Sequence, residues 1–126
     1  MNNKFIIKGI DISDYAIGNC MPEIRDRLQI GNAIDLPWQD NTFDLVISIT
    51  TLHNLHAYDL ELALREMERV GKQHKYLCVE SYRNEQELFN LQCWALTCES
   101  FFEKDEWIWI FEKFNYSGDY EFIYFE

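Results

Sequence analysis

The sequence predicts an α/β fold of about five mostly parallel strands with helices on both faces. Three observations carry this. Strand and helix signals alternate along all 126 residues. Two internal stretches are apolar enough for strands covered on both sides, and no repeat, linker or proline-rich segment divides the chain. A chain of this length holds one core, so a single domain over residues 1–126 is expected.

The first strand is expected at about Lys4 to Ile10, where β-prone residues lead to Asp11. Residues 13–27 read as a helix capped by Ser13 or Asp14 and disturbed by Pro22. A short strand follows at Leu28 to Ile30. After the loop AIDLPWQDNTF, the stretch DLVISIT (44–50) is nearly all apolar or small and reads as a central strand. The clearest helix comes next. Leu60, Ala63, Leu64, Met67 and Val70 recur at helical spacing, Asp59 is placed to cap them, and Gly71 with Lys72 ends the run. YLCVES (76–81) is a second buried strand. Asn84 and Glu87 have capping-box spacing, and Leu88, Leu91 and Trp94 continue an apolar stripe. Another helix starts near Asp105. Its residues Trp107, Ile108, Trp109, Ile110, Phe111 and Phe114 cover nearly the whole circumference, which predicts burial on several sides or contact with another chain. YEFIYF (120–125) closes the chain as a strand.

Composition bounds the function. With 48% hydrophobic residues the chain folds despite a net charge of -11. The 22 acidic against 11 basic side chains, with no Lys/Arg block, exclude a nucleic-acid backbone as partner. Cys20, Cys78, Cys93 and Cys98 form no CxxC pair and sit among apolar neighbours, so they read as small buried hydrophobes in a reducing compartment. No apolar run approaches the roughly 20 residues of a membrane span, and no secretory signal opens the chain. A cytoplasmic protein with no membrane partner is expected.

Asp11 stands at the carboxyl end of a strand and just before a helix, where open α/β sheets bind ligands and where a carboxylate can accept both hydroxyls of a ribose. Equally, Asp11 with Ser13 and Asp14 can simply cap the helix that follows. His53 and His56, three residues apart, could share a metal, but no third or fourth ligand lies in motif spacing, so no metal site is expected.

The sequence carries GIDIS at 9–13, GNA at 31–33, LPW at 36–38 and TFDLVISITTLHNL at 42–55. In this order and spacing they resemble the class I S-adenosylmethionine-dependent methyltransferases, especially the small-molecule, type 11-like branch. FFEKDEWIWIFEKFNYSGDYEFIYFE (101–126) is similar to that family's late helix and sixth strand. The resemblance implies a Rossmann-like sandwich with S-adenosylmethionine as cofactor and a small molecule as substrate. It places Asp11 on the ribose, Ile12 on the adenine face, Asn32 and Ala33 at the adenine edge, and Ile49 and Thr50 near the methionine part. Asn32 stands where the family has Asp, and its amide oxygen can still accept from the exocyclic amine. The segment holding His53 borders the family's substrate pocket, so His53 is a candidate to touch substrate or act as general base; a polar residue satisfied within a loop is equally compatible.

In the family a first strand, a GxGxG loop and a helix precede the acidic strand end. Here the five glycines never form even a GxG. The fold expected is therefore truncated, with the second and fourth family strands left to pair directly or to expose edges. Three readings follow: an active methyltransferase, perhaps completed across a homodimer; a non-catalytic remnant or interaction module; or one half of a split or truncated enzyme. Homodimerisation is expected, because missing sheet neighbours leave apolar surface to cover.

Overall fold

The computed structural model describes residues 4–126. Its five strands pair in parallel, but in two sheets rather than one. β1 (Gly9–Asp11) pairs with β2 (Leu28–Ile30). β3 (Phe43–Ile49), β4 (Gly71–Ser81) and β5 (Asp119–Tyr124) form the second sheet in that order. The connections hold helices α1 (Asp14–Gly18), α2 (Ala57–Val70), α3 (Glu85–Trp94) and α4 (Lys104–Lys113), with 3-10 turns at Pro22–Arg27 and Leu52–Asn54.

The amino-terminal part departs most from expectation. Residues Lys4 to Lys8 belong to no strand, so β1 has three residues. The helix expected over residues 13–27 breaks in two, because Pro22 lacks an N–H and fits the first position of a new turn better than a helix interior. Ser13 is the cap of α1, its Oγ accepting from the Ala16 amide at 3.1 Å.

One core holds the second sheet. Because β3 to β4 and β4 to β5 step the same way, right-handed crossovers put α2 and α4 on one face. There Leu60, Leu64 and Met67 of α2 meet Leu77 and Val79 of β4 and Trp107 and Phe111 of α4. Trp107 stacks on Phe111 with ring centres 5.9 Å apart and takes Phe102 edge-on at 5.3 Å. On the opposite face Leu45, Ile47 and Ile49 are 53–56% exposed. β3 is thus an edge strand and not the central one its apolar sequence suggests. Trp109 is also exposed, so α4 is buried on one side and not all round.

Helix ends follow local chemistry. His56 occupies the cap position of α2, and Asp59 lies in the first turn, where its charge meets the positive end of the helix dipole. Gly71 leads directly into β4 with an ordinary negative φ; a Cβ there would lie 2.9 Å from both Val46 Cγ2 and Lys75 Cε, so close packing requires the glycine. Asn84 Oδ1 accepts from the Glu87 amide at 2.9 Å, while the Glu87 carboxylate turns to the Arg83 amide and guanidinium instead of back to Asn84. A complete capping box forms at Glu103 and Glu106. Cys78 and Cys98 are buried as expected, Cys20 is half-buried, and Cys93 is exposed at the end of α3; all four are free thiols.

Candidate functional site

A cavity of about 250 Å³ opens between the two sheets. Lys8, Gly9 and Ile10 line one wall, the length of β3 lines the other, and Ala63, Met67 and Val70 of α2 close its floor. β1 pairs away from the cavity to β2, and β3 pairs away from it to β4. The chain therefore reverses its winding direction here, and at such a switch point ligands bind beyond the carboxyl ends of the strands.

The residues singled out in the sequence fall around this point unevenly. Ala33 and Ile49 line the cavity, and Asp11, Asn32 and Thr50 each adjoin a lining residue in the chain. Asp11 ends β1. Its Oδ1 accepts from the Ser13 amide at 2.9 Å, which orients the carboxylate, and Oδ2 has no hydrogen-bond partner among the described residues. Its carbonyl accepts from the Gly31 amide at 3.0 Å, so the GNA turn is tied to the end of β1. Ile12 is largely exposed. Asn32 Oδ1 accepts from the Ile34 amide at 3.2 Å, closing that turn and leaving one lone pair free.

Thr50 is held with φ of +52°. This left-handed backbone is costly for a β-branched residue. Tertiary contacts impose it: the Thr50 amide donates to the Cys78 carbonyl at 2.9 Å, and the side-chain amide of Asn54 donates to the Thr50 carbonyl at 3.4 Å. Such strain concentrates at functional sites. No pattern in the sequence marks it.

A second feature missed by sequence reading fixes the loop at the cavity mouth. Arg69 donates to the carbonyls of Trp38 at 2.7 Å and Leu36 at 3.0 Å, and Glu66 accepts from the Leu36 amide at 2.7 Å. The Arg69 hydrogen bond holds the Glu66 carboxyl below its usual range. The only sequence signal was an acid and a base three apart on α2.

His53 is 2% exposed and faces Glu80. Its Nδ1 accepts from the Glu80 amide at 3.3 Å and its Nε2 lies 3.0 Å from Glu80 Oε2, while its carbonyl accepts from the amides of Glu99 and Ser100, each at 3.0 Å. Burial lowers its pKa to about 4, and burial raises that of Glu80. Nδ1 thus has a backbone partner, Nε2 lies against a buried carboxylate oxygen that makes no hydrogen bond, and His53 is not among the residues lining the cavity, a geometry closer to the loop-polar role than to the substrate one. Among the described residues no group of three or more His, Cys, Asp or Glu is placed to hold a metal ion, and no helix is long and apolar enough to cross a membrane.

Three likenesses to known proteins bear on this site. A family model described as a methyltransferase domain matches residues 1–115. Norajmaline N-methyltransferase from Rauvolfia serpentina is 40% identical over 53 residues, which are 42% of this chain and 18% of that enzyme. The crystal structure of the YcgJ protein from Bacillus subtilis shares the fold with a TM-score of 0.67 at 22% identity, over 84% of this chain and 50% of that one. The chain thus spans about half of the solved protein and under a fifth of the plant enzyme.

Proposed function

This chain belongs to the methyltransferase domain family, and from that premise we propose that it binds S-adenosylmethionine at the switch point between β1 and β3 and serves methyl transfer to a small molecule. The observation that carries this reading is the Asp11 carboxylate, oriented by the Ser13 amide at the carboxyl end of β1 with Oδ2 free.

The residues fit the nucleoside half of the cofactor. Asp11 offers acceptors for two ribose hydroxyls, the free lone pair of Asn32 Oδ1 suits an exocyclic amine, and the Ala33 amide suits a ring nitrogen. The cavity of about 250 Å³ is small beside the roughly 300–1,000 Å³ that hold larger ligands. No GxG sequence is present to let backbone approach the methionine part. When bound, the cofactor supplies an electrophilic methyl group. The chain's own contribution is positioning: the Glu66–Arg69 clamp holds Leu36 and Trp38 over the cavity, where they exclude water, and the constrained Thr50 fixes the turn beyond β3. His53 supports that turn through Glu80 and takes no proton from substrate in this reading.

Calorimetric titration with S-adenosylhomocysteine tests the proposal. Micromolar binding that Asp11→Ala weakens by about tenfold, the loss of about 1.4 kcal/mol of charged hydrogen bonding, supports it. Absence of binding by the folded chain, or equal binding by the variant, refutes the site.

A further inference from the structure

A second groove, of about 550 Å³, runs along α4 and shares no lining residue with the cavity between the sheets. Phe102, Trp109, Ile110 and Phe114 line it together with Ala57 at the start of α2, and its polar groups are the side chains of Asp105 and Glu106. Helical spacing explains the grouping. Asp105 and Trp109, Glu106 and Ile110, and Ile110 and Phe114 are each four residues apart, so one face of α4 carries them all. Trp107 and Phe111 are buried in the core, whereas Trp109 is 60% exposed, so the core does not account for its indole ring.

The fold accounts for the two carboxylates only in part. In the first turn of α4 they meet the positive end of the helix dipole, and Glu106 Oε1 accepts from the Glu103 amide at 3.0 Å. Glu106 Oε2 and both carboxylate oxygens of Asp105 have no hydrogen-bond or ion-pair partner among the described residues. Lys104 and Lys113 mark the two ends of α4, but neither lines the groove, so no cation of the described chain fills it.

We propose that this groove binds a small organic ammonium ion with apolar substituents, of the quaternary amine class. Charge complementarity sets the sign: two unpaired carboxylates beside an apolar floor favour a cation that is itself largely apolar. A strongly hydrated metal ion does not suit such a lining, and among the described residues no group of three or more His, Cys, Asp or Glu is placed to hold one. An ammonium charge spread over methyl groups is weakly hydrated and is attracted to the face of an indole ring, here that of Trp109. Size favours a small ligand. The ten residues of α4 span about 15 Å, and the volume falls within the roughly 300–1,000 Å³ of small-molecule sites. Acidic groups on a chain of net charge -11 oppose a second copy at this face. The proposal rests on α4 and its flanks and is independent of cofactor binding.

The test is a nuclear magnetic resonance titration of the purified chain with choline and with 3,3-dimethylbutan-1-ol, at matched ionic strength. The alcohol has the shape of choline with carbon in place of the charged nitrogen. The proposal expects saturable shifts of the residue 102–114 amides and of the Trp109 indole N–H with choline, at millimolar affinity. The indole signal is identified by its loss in Trp109→Leu. Binding should be about tenfold weaker for the alcohol, and about fivefold weaker for choline in both Trp109→Leu and Asp105→Asn, two exposed positions whose substitution leaves the remaining spectrum in place. Equal binding of the two probes, choline binding by either variant at the wild-type level, shifts confined to other residues, or no shift overturns the proposal. So does movement of the same signals on dilution of the free chain, because a second copy then covers the groove, or a response to a Lys/Leu peptide with none to choline, which marks a protein partner instead.

Discussion

Lowering the pH from about 7 to 4 should loosen the turn beyond β3, because His53 is buried in its neutral form. Above pH 6.5 the imidazole is uncharged in both folded and unfolded chains, and stability is at its full value. Between pH 6.5 and about 4 the unfolded chain takes up a proton that the folded state refuses, so stability falls as pH falls. At about 1.36 kcal/mol per pKa unit, the shift from 6.5 to about 4 sets a ceiling of about 3 kcal/mol. Glu80, whose carboxyl is raised by the same burial, works in the opposite sense: it is protonated more readily in the folded state, which offsets part of the loss toward the acid end. The net effect is therefore smaller than that ceiling. His53→Asn isolates it, since Asn Oδ1 stands where Nδ1 accepts from the Glu80 amide but carries no titrating group. Urea denaturation followed by circular dichroism at pH 7, 6, 5 and 4.5 gives the difference between the two proteins, in which titrations remote from His53 cancel and only the part of the Glu80 titration that depends on its contact with His53 remains. The stability lost by the wild type relative to the variant should grow through that window. A difference that stays constant with pH refutes the reasoning.

Other perturbations probe packing and strain. Trp107→Ala removes the largest fully buried side chain and should cost about 3–5 kcal/mol in the same urea assay. Gly71→Ala forces a methyl group against Val46, Lys75 and the Met67 carbonyl and should cost about 1–3 kcal/mol, read as a lower unfolding midpoint with unchanged slope. Thr50→Gly relieves a left-handed backbone and should leave stability level or raised by up to about 1 kcal/mol. Thr51→Gly, at a position with φ of -114°, should lower it by about 1 kcal/mol, so equal losses at both positions would remove the case for strain at Thr50.

The carboxyl-terminal half of the fold was legible because its signals are local and mutually consistent. Leu60, Ala63, Leu64, Met67 and Val70 predict α2 by period, and all five are buried. Leu28 to Ile30 and the strand at 119–124 also fall where β-prone runs place them. The amino-terminal half was less legible. Lys4 to Lys8 has strand composition but no neighbouring edge to pair with, and a strand without a partner is not stable whatever its propensity. DLVISIT reads as doubly covered because its composition is apolar throughout, yet composition cannot report that β3 has one strand neighbour and one exposed face among the described residues.

At the candidate site, the sequence by itself determined the residue types and their order: an acidic strand end at Asp11, the turn through Asn32 and Ala33, the loop with Trp38, and the family to which they belong. Only the tertiary structure decided what each group does. It turned His53 inward onto Glu80 from a strand 27 positions away, forced Thr50 into a left-handed backbone, bound the cavity loop to Arg69, and set the unpaired edges of β1 and β3 against one cleft. The physical reason is the range of the interactions. Propensity, capping and periodicity act within one or two turns of chain, whereas burial, pKa and edge pairing depend on groups that the chain brings together from far apart.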